Sequence, residues 1–334
     1  MNLFLYESIS AGGLGPAPPA SLGAEGWAML TAALADFAAL ARITTLLAPT
    51  CSDIPGVRCE RTSFQDEPQR FRELIAANDA VLVIAPEFDN ILADRSTLVV
   101  AHGRQLLGCH PDAVRRTADK LALAAHWRAC GISTPPTELA TDATPATFPV
   151  VCKPRDGAGS QATTYIGDPA TWRLHRHANQ RAWPGRDFIV QPFISGLACS
   201  VAFLVGPKQI VPLAPTEQIL SGDGCFAYRG GRLPLAESLA RRAGQIALAA
   251  VRSVPQLTGY VGVDVVLADH GEDVAIEINP RLTTSYIGLR ALCRDNLAAA
   301  WLELLHGADD IQLAWRSAPV RFDAEGMLEL FVLR

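Results

Sequence analysis

Lysine is nearly absent from this chain. Of its 29 basic residues only Lys120, Lys153 and Lys208 are lysines, so arginine carries positive charge almost everywhere. A retained lysine then marks a place that needs a compact ammonium rather than a planar fork. Lys208, in the turn-like GPKQ, reads as a surface residue; context decides the other two. Metal or redox cysteine spacing is absent too. The eight cysteines, at 51, 59, 109, 130, 152, 199, 225 and 293, form no CxxC pair and read as reduced, mostly buried thiols of a cytoplasmic protein. A basic surplus is missing: the net charge of −5 excludes nucleic acid or an anionic membrane as the main partner. No apolar run approaches membrane-spanning length. The start, MNLFLYESIS, lacks a basic n-region and reads as a first buried strand, not a signal peptide. No Ser/His/Asp or Cys/His arrangement stands out.

What is present is a chain of 334 residues, 49% hydrophobic and 19% charged, long enough for two or three packed subdomains. Residues 1–110 alternate strand and helix signals: strands at 2–8, 43–49, 80–86 and 105–109, helices at 27–41, 66–77 and 94–101. Such alternation implies a parallel sheet with helices on its faces. The GGLG after the first strand is too incomplete for a dinucleotide site, and prolines 16, 18 and 19 follow it. A helix opens at Thr117-Ala-Asp-Lys120 and stops at Gly131, which puts Lys120 in the first turn, where the dipole disfavours a cation unless an anion binds there. A Pro- and Thr-rich connector, 132–149, leads into antiparallel strands with few helices, an α+β pattern.

In YVGVDVVLA (260–268) and AIEIN (275–279), joined through DHGED, side chains alternate between faces. If Val261, Val263, Val265 and Leu267 stack on Val274, Ile276 and Ile278, then Asp264, Glu277 and Asn279 share the other face. Two carboxylates and an amide oxygen are hard ligands suited to Mg²⁺ or Mn²⁺; without a cation the carboxylates repel. Magnesium held by so few protein groups keeps phosphate oxygens, and a phosphate loop is present in Lys153-Pro-Arg-Asp156-Gly157-Ala-Gly159-Ser160. It is not a Walker A loop, because the lysine precedes the glycines and no helix follows.

Taken in order, DK (119–120), VVCKPRDGAGS (150–160), FIVQPFISG (188–196), VGVDVVL (261–267) and AIEINPR (275–281) resemble the ATP-grasp ligase pattern. The opening MNLFLYESISAGG and VIAPEFDNIL (83–92) resemble a narrower group, the ATP-grasp ligases similar to tyramine–glutamate ligases of methanofuran-type cofactor biosynthesis. The resemblance implies an α/β N-terminal Rossmann-like subdomain (1–110) plus α+β ATP-grasp subdomains at 111–185 and 186–334. It implies that Lys120 and Lys153 contact ATP phosphates, Lys153 also near the adenine. Asp156, Gly157, Gly159 and Ser160 would fold over the β- and γ-phosphates, and Phe193 and Ile194 would offer backbone groups to the adenine edge. Asp264, Glu277 and Asn279 would hold Mg²⁺, and Arg281 would reach the γ-phosphate and the acyl phosphate made from it.

Two departures from the pattern are Gln191, where many relatives carry glutamate, and Ala198, where relatives carry a ribose-binding carboxylate. The implied reaction is ADP-forming ligation of a carboxylate to an amine, with glutamate and tyrosine or tyramine as the specific expectation. The alternatives are another amino-acid ligase, a carboxylase, or a nucleotide-binding sensor without turnover. SGDGCFAYRGGRLP (221–234) reads as a lid, with Arg229 or Arg232 as a substrate contact. Glu7 and Glu217-Gln218 are substrate-side candidates, and residues 308–334 supply either a closing strand or a homodimer contact.

Overall fold

The computed structural model describes residues 1–15 and 19–330; residues 16–18, which include Pro16 and Pro18, and the last four residues lie outside the described residues. The first layer runs β1 (Asn2–Glu7), α1 (Ala20–Phe37), β2 (Arg42–Leu47), β3 (Arg58–Arg61), α2 (Glu67–Ala77), β4 (Ala80–Ile84), α3 (Ile91–Ala101) and β5 (Gln105–Leu106). Its five strands pair in parallel in the order β3-β2-β1-β4-β5. Alternate residues of β1 feed opposite cores: Leu3 and Leu5 one, Phe4 and Tyr6 the other. This is the α/β N-terminal subdomain that strand–helix alternation implies.

Two features of this layer differ from the sequence reading. Helix α1 begins at Ala20, not near 27, although Gly23 and Gly26 are poor helix formers. Gly26 is there because the helix sits down on the end of β1: a Cβ would come 2.7 Å from Glu7 Cδ. Strand β3 went unforeseen because RCER is short, charged and at an edge.

Helix α4 (Pro111–Ala118) and helix α5 (Lys120–Ala129) stand where one helix was expected from Thr117. Asp119, extended at φ −81° and ψ 93°, separates them and caps α5 by accepting from Ala122 N at 3.1 Å. Next come β6 (Glu138–Leu139), β7 (Val150–Pro154), β8 (Thr164–Ile166), α6 (Pro169–Ala182) and β9 (Phe188–Pro192). These strands make a four-stranded antiparallel sheet, β6-β9-β7-β8, over a small core around Trp172. Strand β9 pairs with β7, so the small sheet extends past the boundary expected at 185.

The remaining elements are β10 (Gly196–Val205), β11 (Ile210–Pro212), β12 (Thr216–Leu220), β13 (Tyr228–Leu233), α7 (Glu237–Ser253), β14 (Gly259–Ala268), β15 (Val274–Asn279), α8 (Ser285–Leu292), α9 (Leu297–Leu305), β16 (Val320–Asp323) and β17 (Leu328–Leu330). The large sheet runs β15-β14-β10-β12-β13-β16-β17, with β11 on β10. Residues 320–330 thus supply a closing hairpin on β13.

Both cores run from the first sheet into the large one, so these layers pack as a unit. Asp36, near the end of α1, accepts from Tyr286 Oη at 2.7 Å and from Arg290 Nη2 at 2.7 Å, tying α1 to α8. No helix among the described residues is long and apolar enough to cross a membrane.

Candidate active site

A cavity of about 520 Å³ lies between the small and large sheets, and α1 reaches its edge. Its floor is the β14–β15 hairpin. Asp264 stands opposite Glu277 and Gly262 opposite Asn279, and all three polar residues line the cavity. The expected face of Asp264, Glu277 and Asn279 therefore forms. Ile276 does not join Val274 and Ile278 in the core, as the strict alternation predicted. The register shifts between Asp264 and Val265, so Ala275 pairs with Val265, and Ile276 lines the cavity beside Glu277. A β-bulge of this kind turns one extra side chain to the open face.

The two floor carboxylates are shifted in opposite directions. Burial, then the neighbouring Glu277 carboxylate, push Asp264 up to about 7. Burial alone would raise Glu277 too, but Lys120 and then Lys153 hold it below the usual carboxylate range. Lys120 Nζ stands 3.4 Å and Lys153 Nζ 3.9 Å from Glu277 Oε2. Burial pulls the Lys153 ammonium below its ordinary value. Asn279 Nδ2 donates to Asp264 Oδ2 at 3.2 Å, and Gln218 Nε2 donates to Asp264 Oδ1 at 3.0 Å.

This donor set fits a divalent cation of the Mg²⁺ class: two facing carboxylates in a buried setting, no thiolate and no imidazole. Among the described residues no cluster of three or more His, Cys, Asp or Glu side chains could hold a metal alone, so part of the coordination must come from elsewhere.

Both lysines are anchored from the small sheet. Lys120 opens α5; its backbone N–H donates to Arg155 O at 3.0 Å and its Nζ to Gly157 O at 2.9 Å. Arg155, at the foot of the glycine loop, grips Asp119 through Nε at 2.9 Å and Nη2 at 2.6 Å. Gly157, Gly159 and Ser160 line the cavity, and Gly159, Ser160 and Ala162 have φ of 65°, 56° and 51°. Left-handed turns among small residues are the kind of backbone that can close N–H groups around an anion. Gly159 also meets α1: a Cβ there would lie 2.4 Å from Leu22 Cδ2.

Asp156 departs from its expected role. It is not among the cavity-lining residues; its Oδ2 accepts from Asp89 N at 3.1 Å, and Arg186 Nε stands 3.8 Å from its Oδ1. Held there, it keeps a negative charge out of the cavity. Phe193 and Ile194 line the cavity, but the Phe193 N–H is taken by Pro149 O at 3.0 Å, which leaves its carbonyl and the Ile194 backbone for an adenine edge. Gln191 lines the cavity while its Nε2 donates to Thr137 Oγ1 at 2.8 Å. Ala198 lines it too, with no carboxylate.

The 221–227 turn between β12 and β13 crosses to the small sheet. Tyr165 N donates to Gly224 O at 2.7 Å, and Phe226 stacks on Phe193 with centroids 6.1 Å apart. The lid contributes aromatic rings and no arginine. Tyr228, Gln218 and Leu220 face the cavity, while Arg232 pairs with Glu217 at 2.9 Å on the opposite face. Arg229 is exposed and does not line the cavity. So Gln218 lines the cavity, whereas Arg229, Arg232 and Glu217 do not. Glu7 is buried and bonded to its own loop, through Ile9 N at 3.0 Å and Ser10 N at 2.7 Å, an organising role rather than a substrate contact.

Arg281 lines the cavity at the end of β15. Its Nε stands 2.9 Å from Glu87 Oε1, and its Nη2 donates to Glu87 Oε2 at 3.2 Å. Glu87 and Glu25, both from the first layer, are the site residues the sequence reading missed. Their signals were present: Glu87 follows the end of an apolar parallel strand, where sites of α/β sheets gather, and Glu25 is a lone acid within the apolar stretch of α1 before Asp36.

Comparison with known proteins agrees with this geometry. Residues 117–285 match the ATP-grasp domain, and residues 41–114 match the pre ATP-grasp 3 domain. The chain is similar to tyramine–L-glutamate ligase of Methanocaldococcus fervens, 30% identical over 219 residues, 64% of this chain and 62% of that protein. The same enzyme of Methanocaldococcus jannaschii is 31% identical over 218 residues, 64% of this chain and 58% of that protein. The match thus spans about three fifths of those relatives' length. A crystal structure from Archaeoglobus fulgidus, assigned to the ATP-grasp superfamily, superposes with a TM-score of 0.71 at 27% identity, covering 96% of this chain and 92% of that one. With its ATP-grasp domain spanning half its length behind a pre-ATP-grasp domain, the chain belongs to the ATP-grasp family.

Proposed function

We propose that the protein is an ATP-dependent, ADP-forming carboxylate–amine ligase that works through an acyl phosphate. The observation that carries this reading is the convergence, in one cavity, of a carboxylate pair, two buried lysines, a glycine loop and a fixed arginine. Such a set binds a triphosphate and neutralises charge as phosphoryl moves; it offers no nucleophile of its own.

In this reading the adenine lies between Ile276 and the Phe193–Phe226 stack, and the phosphates run to Lys153, Lys120 and the 157–160 loop. Asp264, Glu277 and Asn279 would hold Mg²⁺, which supplies charge neutralisation between the phosphates. The substrate carboxylate oxygen attacks the γ-phosphorus, and the bond to the β-phosphate oxygen breaks, giving acyl phosphate and ADP. Arg281, aimed by Glu87, meets the transferred group. The amine, once neutral, then attacks the acyl carbon; the carbon–oxygen bond to the phosphate breaks, and inorganic phosphate leaves with the proton the nitrogen loses. Closure by the glycine loop and the 221–227 turn keeps water from the intermediate.

Glutamate as carboxylate donor and tyrosine or tyramine as amine, in methanofuran-type cofactor biosynthesis, is the specific substrate reading. It is supported by the 30–31% identity to enzymes so named. A nucleotide-binding sensor without turnover is the second reading, favoured by Ala198 in the cavity wall. Both are tested by ADP release from MgATP and glutamate, with tyrosine, tyramine or neither added, and Glu277→Gln as control. Amine-dependent release that the variant loses supports the ligase; nucleotide binding without release on any pair supports the sensor.

A further inference from the structure

We infer that Glu25 is the receptor for a substrate ammonium group, in the part of the cavity beyond Arg281. This rests on the ligase reading and adds to it the place and the chemical class of one recognition contact.

The cavity's other acids already have partners. Of the acids that line it, Glu277 faces Lys120 and Lys153, and Asp264 accepts from Gln218 and Asn279; Glu87, outside the lining, makes two contacts with Arg281. Glu25 lines the same cavity, half-buried on α1, and among the described residues it forms no ion pair. Arg281 and the Thr284 hydroxyl are the groups that act on it, yet burial outweighs them and holds its carboxyl above the ordinary value. A carboxylate withdrawn from water without a paired cation is costly, and near a transferred phosphoryl group it is repulsive as well. A cation arriving with the substrate removes both penalties.

The surroundings suit a primary ammonium. It has three donors and no acceptor, so it needs acceptors on several sides. Thr284 and Ser285 line the cavity beside Glu25. Behind them Tyr260 Oη lies 3.0 Å from both Thr283 Oγ1 and Ser285 Oγ, a set of hydroxyls able to reorient. The receptor is fixed in place: α1 is pinned to α8 through Asp36 and seated on β1 through Gly26. Arg281 is fixed as well, so Glu25 and Arg281 together define where a cationic and an anionic end of the substrates lie.

Two sources offer that ammonium: the attacking amine, or the α-amino group of an amino-acid carboxylate donor. Calorimetric titration of the full chain with MgADP bound, using L-glutamate, glutarate and tyramine, separates them. If the group is glutamate's, wild type prefers glutamate to glutarate, and Glu25→Gln loses about tenfold in glutamate affinity and the preference with it. If it is the amine's, tyramine affinity falls by about tenfold while glutamate is unmoved. Glu25→Asp should fall between wild type and Glu25→Gln, and retained MgADP affinity shows that each variant is folded. Unchanged affinity for both ammonium ligands in Glu25→Gln, or no binding of either to wild type, overturns the receptor. ADP release tells the two readings apart. Its absence beside a Glu25-dependent affinity sinks the ligase alone, and its persistence with both KM values unmoved in Glu25→Gln sinks the receptor alone.

Discussion

The cavity has a floor and a wall of different construction. The floor, β14–β15, is a single hairpin whose ladder fixes Asp264 against Glu277 by register. The wall includes Glu25, from a helix of the first layer, and Arg281, whose partner Glu87 comes from the segment after β4 and does not itself line the cavity. The groups proposed to hold the metal are local to one hairpin, where a strand's own geometry holds them, while the proposed phosphate contacts Lys120, Lys153 and the glycine loop come from α5 and the small sheet. Glu25, on the proposed substrate side, comes from a separate layer. A ligase built this way would keep its phosphoryl chemistry while its substrates change.

Substitutions can break that division or sharpen it. The largest effect is expected from Glu277→Gln, which removes a charge facing two lysines; ADP release should fall by about a thousandfold with circular dichroism unchanged. Next is Glu87→Ala, which strands the Arg281 guanidinium. Urea unfolding should show a loss of about 3–5 kcal/mol, and turnover should fall more in kcat than in the KM for ATP. If stability and activity both survive, Glu87 is not what aims the arginine.

Asp264→Asn should act in opposite directions on stability and activity. With a folded-state value of about 7, Asp264 binds its proton more tightly folded than unfolded, so its ionisation opposes folding. That penalty is absent below the ordinary aspartate value of about 4 and complete once the pH passes the folded value. Melting of metal-free protein at alkaline pH should therefore show Asp264→Asn gaining roughly 1–4 kcal/mol, a gain that vanishes in acid, while Mg²⁺-dependent ADP release is lost.

Smaller again is Phe226→Ala, which removes the ring stacked on Phe193; the KM for ATP should rise roughly threefold to tenfold with kcat nearly constant. Smallest is Arg232→Ala. It breaks an exposed pair on the outer face, so stability should move by less than about 1 kcal/mol and the carboxylate KM not at all.

The floor was legible in the sequence because Asp264, Glu277 and Asn279 interrupt an apolar alternation, and periodicity alone assigns their face. Lys120 and Lys153 were legible through scarcity, in a chain that otherwise uses arginine. Ile276 was misread because a bulge leaves no mark in an alternating string. The lid was located but its active side was not: in YRGGRL the arginines look functional, yet a shift in the β12–β13 register leaves Tyr228 facing the cavity and puts Arg232 on the other face. Asp156, directly before Gly157, looked like part of the phosphate loop until Asp89 and Arg186 claimed its carboxylate. Glu25 and Glu87 could be seen as anomalies, a lone acid in an apolar helix and an acid after a buried strand. The Glu87–Arg281 pair is a long-range contact that no local pattern encodes.

Residues 86–90 touch Arg281 at one end, through Glu87, and the foot of the glycine loop at the other, through Asp89 N and Asp156. Asp89 and Asn90 are consecutive left-handed residues, at φ 53° and 58°, conformations that non-glycine residues hold only when their surroundings impose them. So short and constrained a strut has little slack. In the ligase proposed above, a glycine loop that lifts to release ADP would pull through this strut on the partner of Arg281, so that departure of the nucleotide and loosening of the hold on phosphate would be coupled.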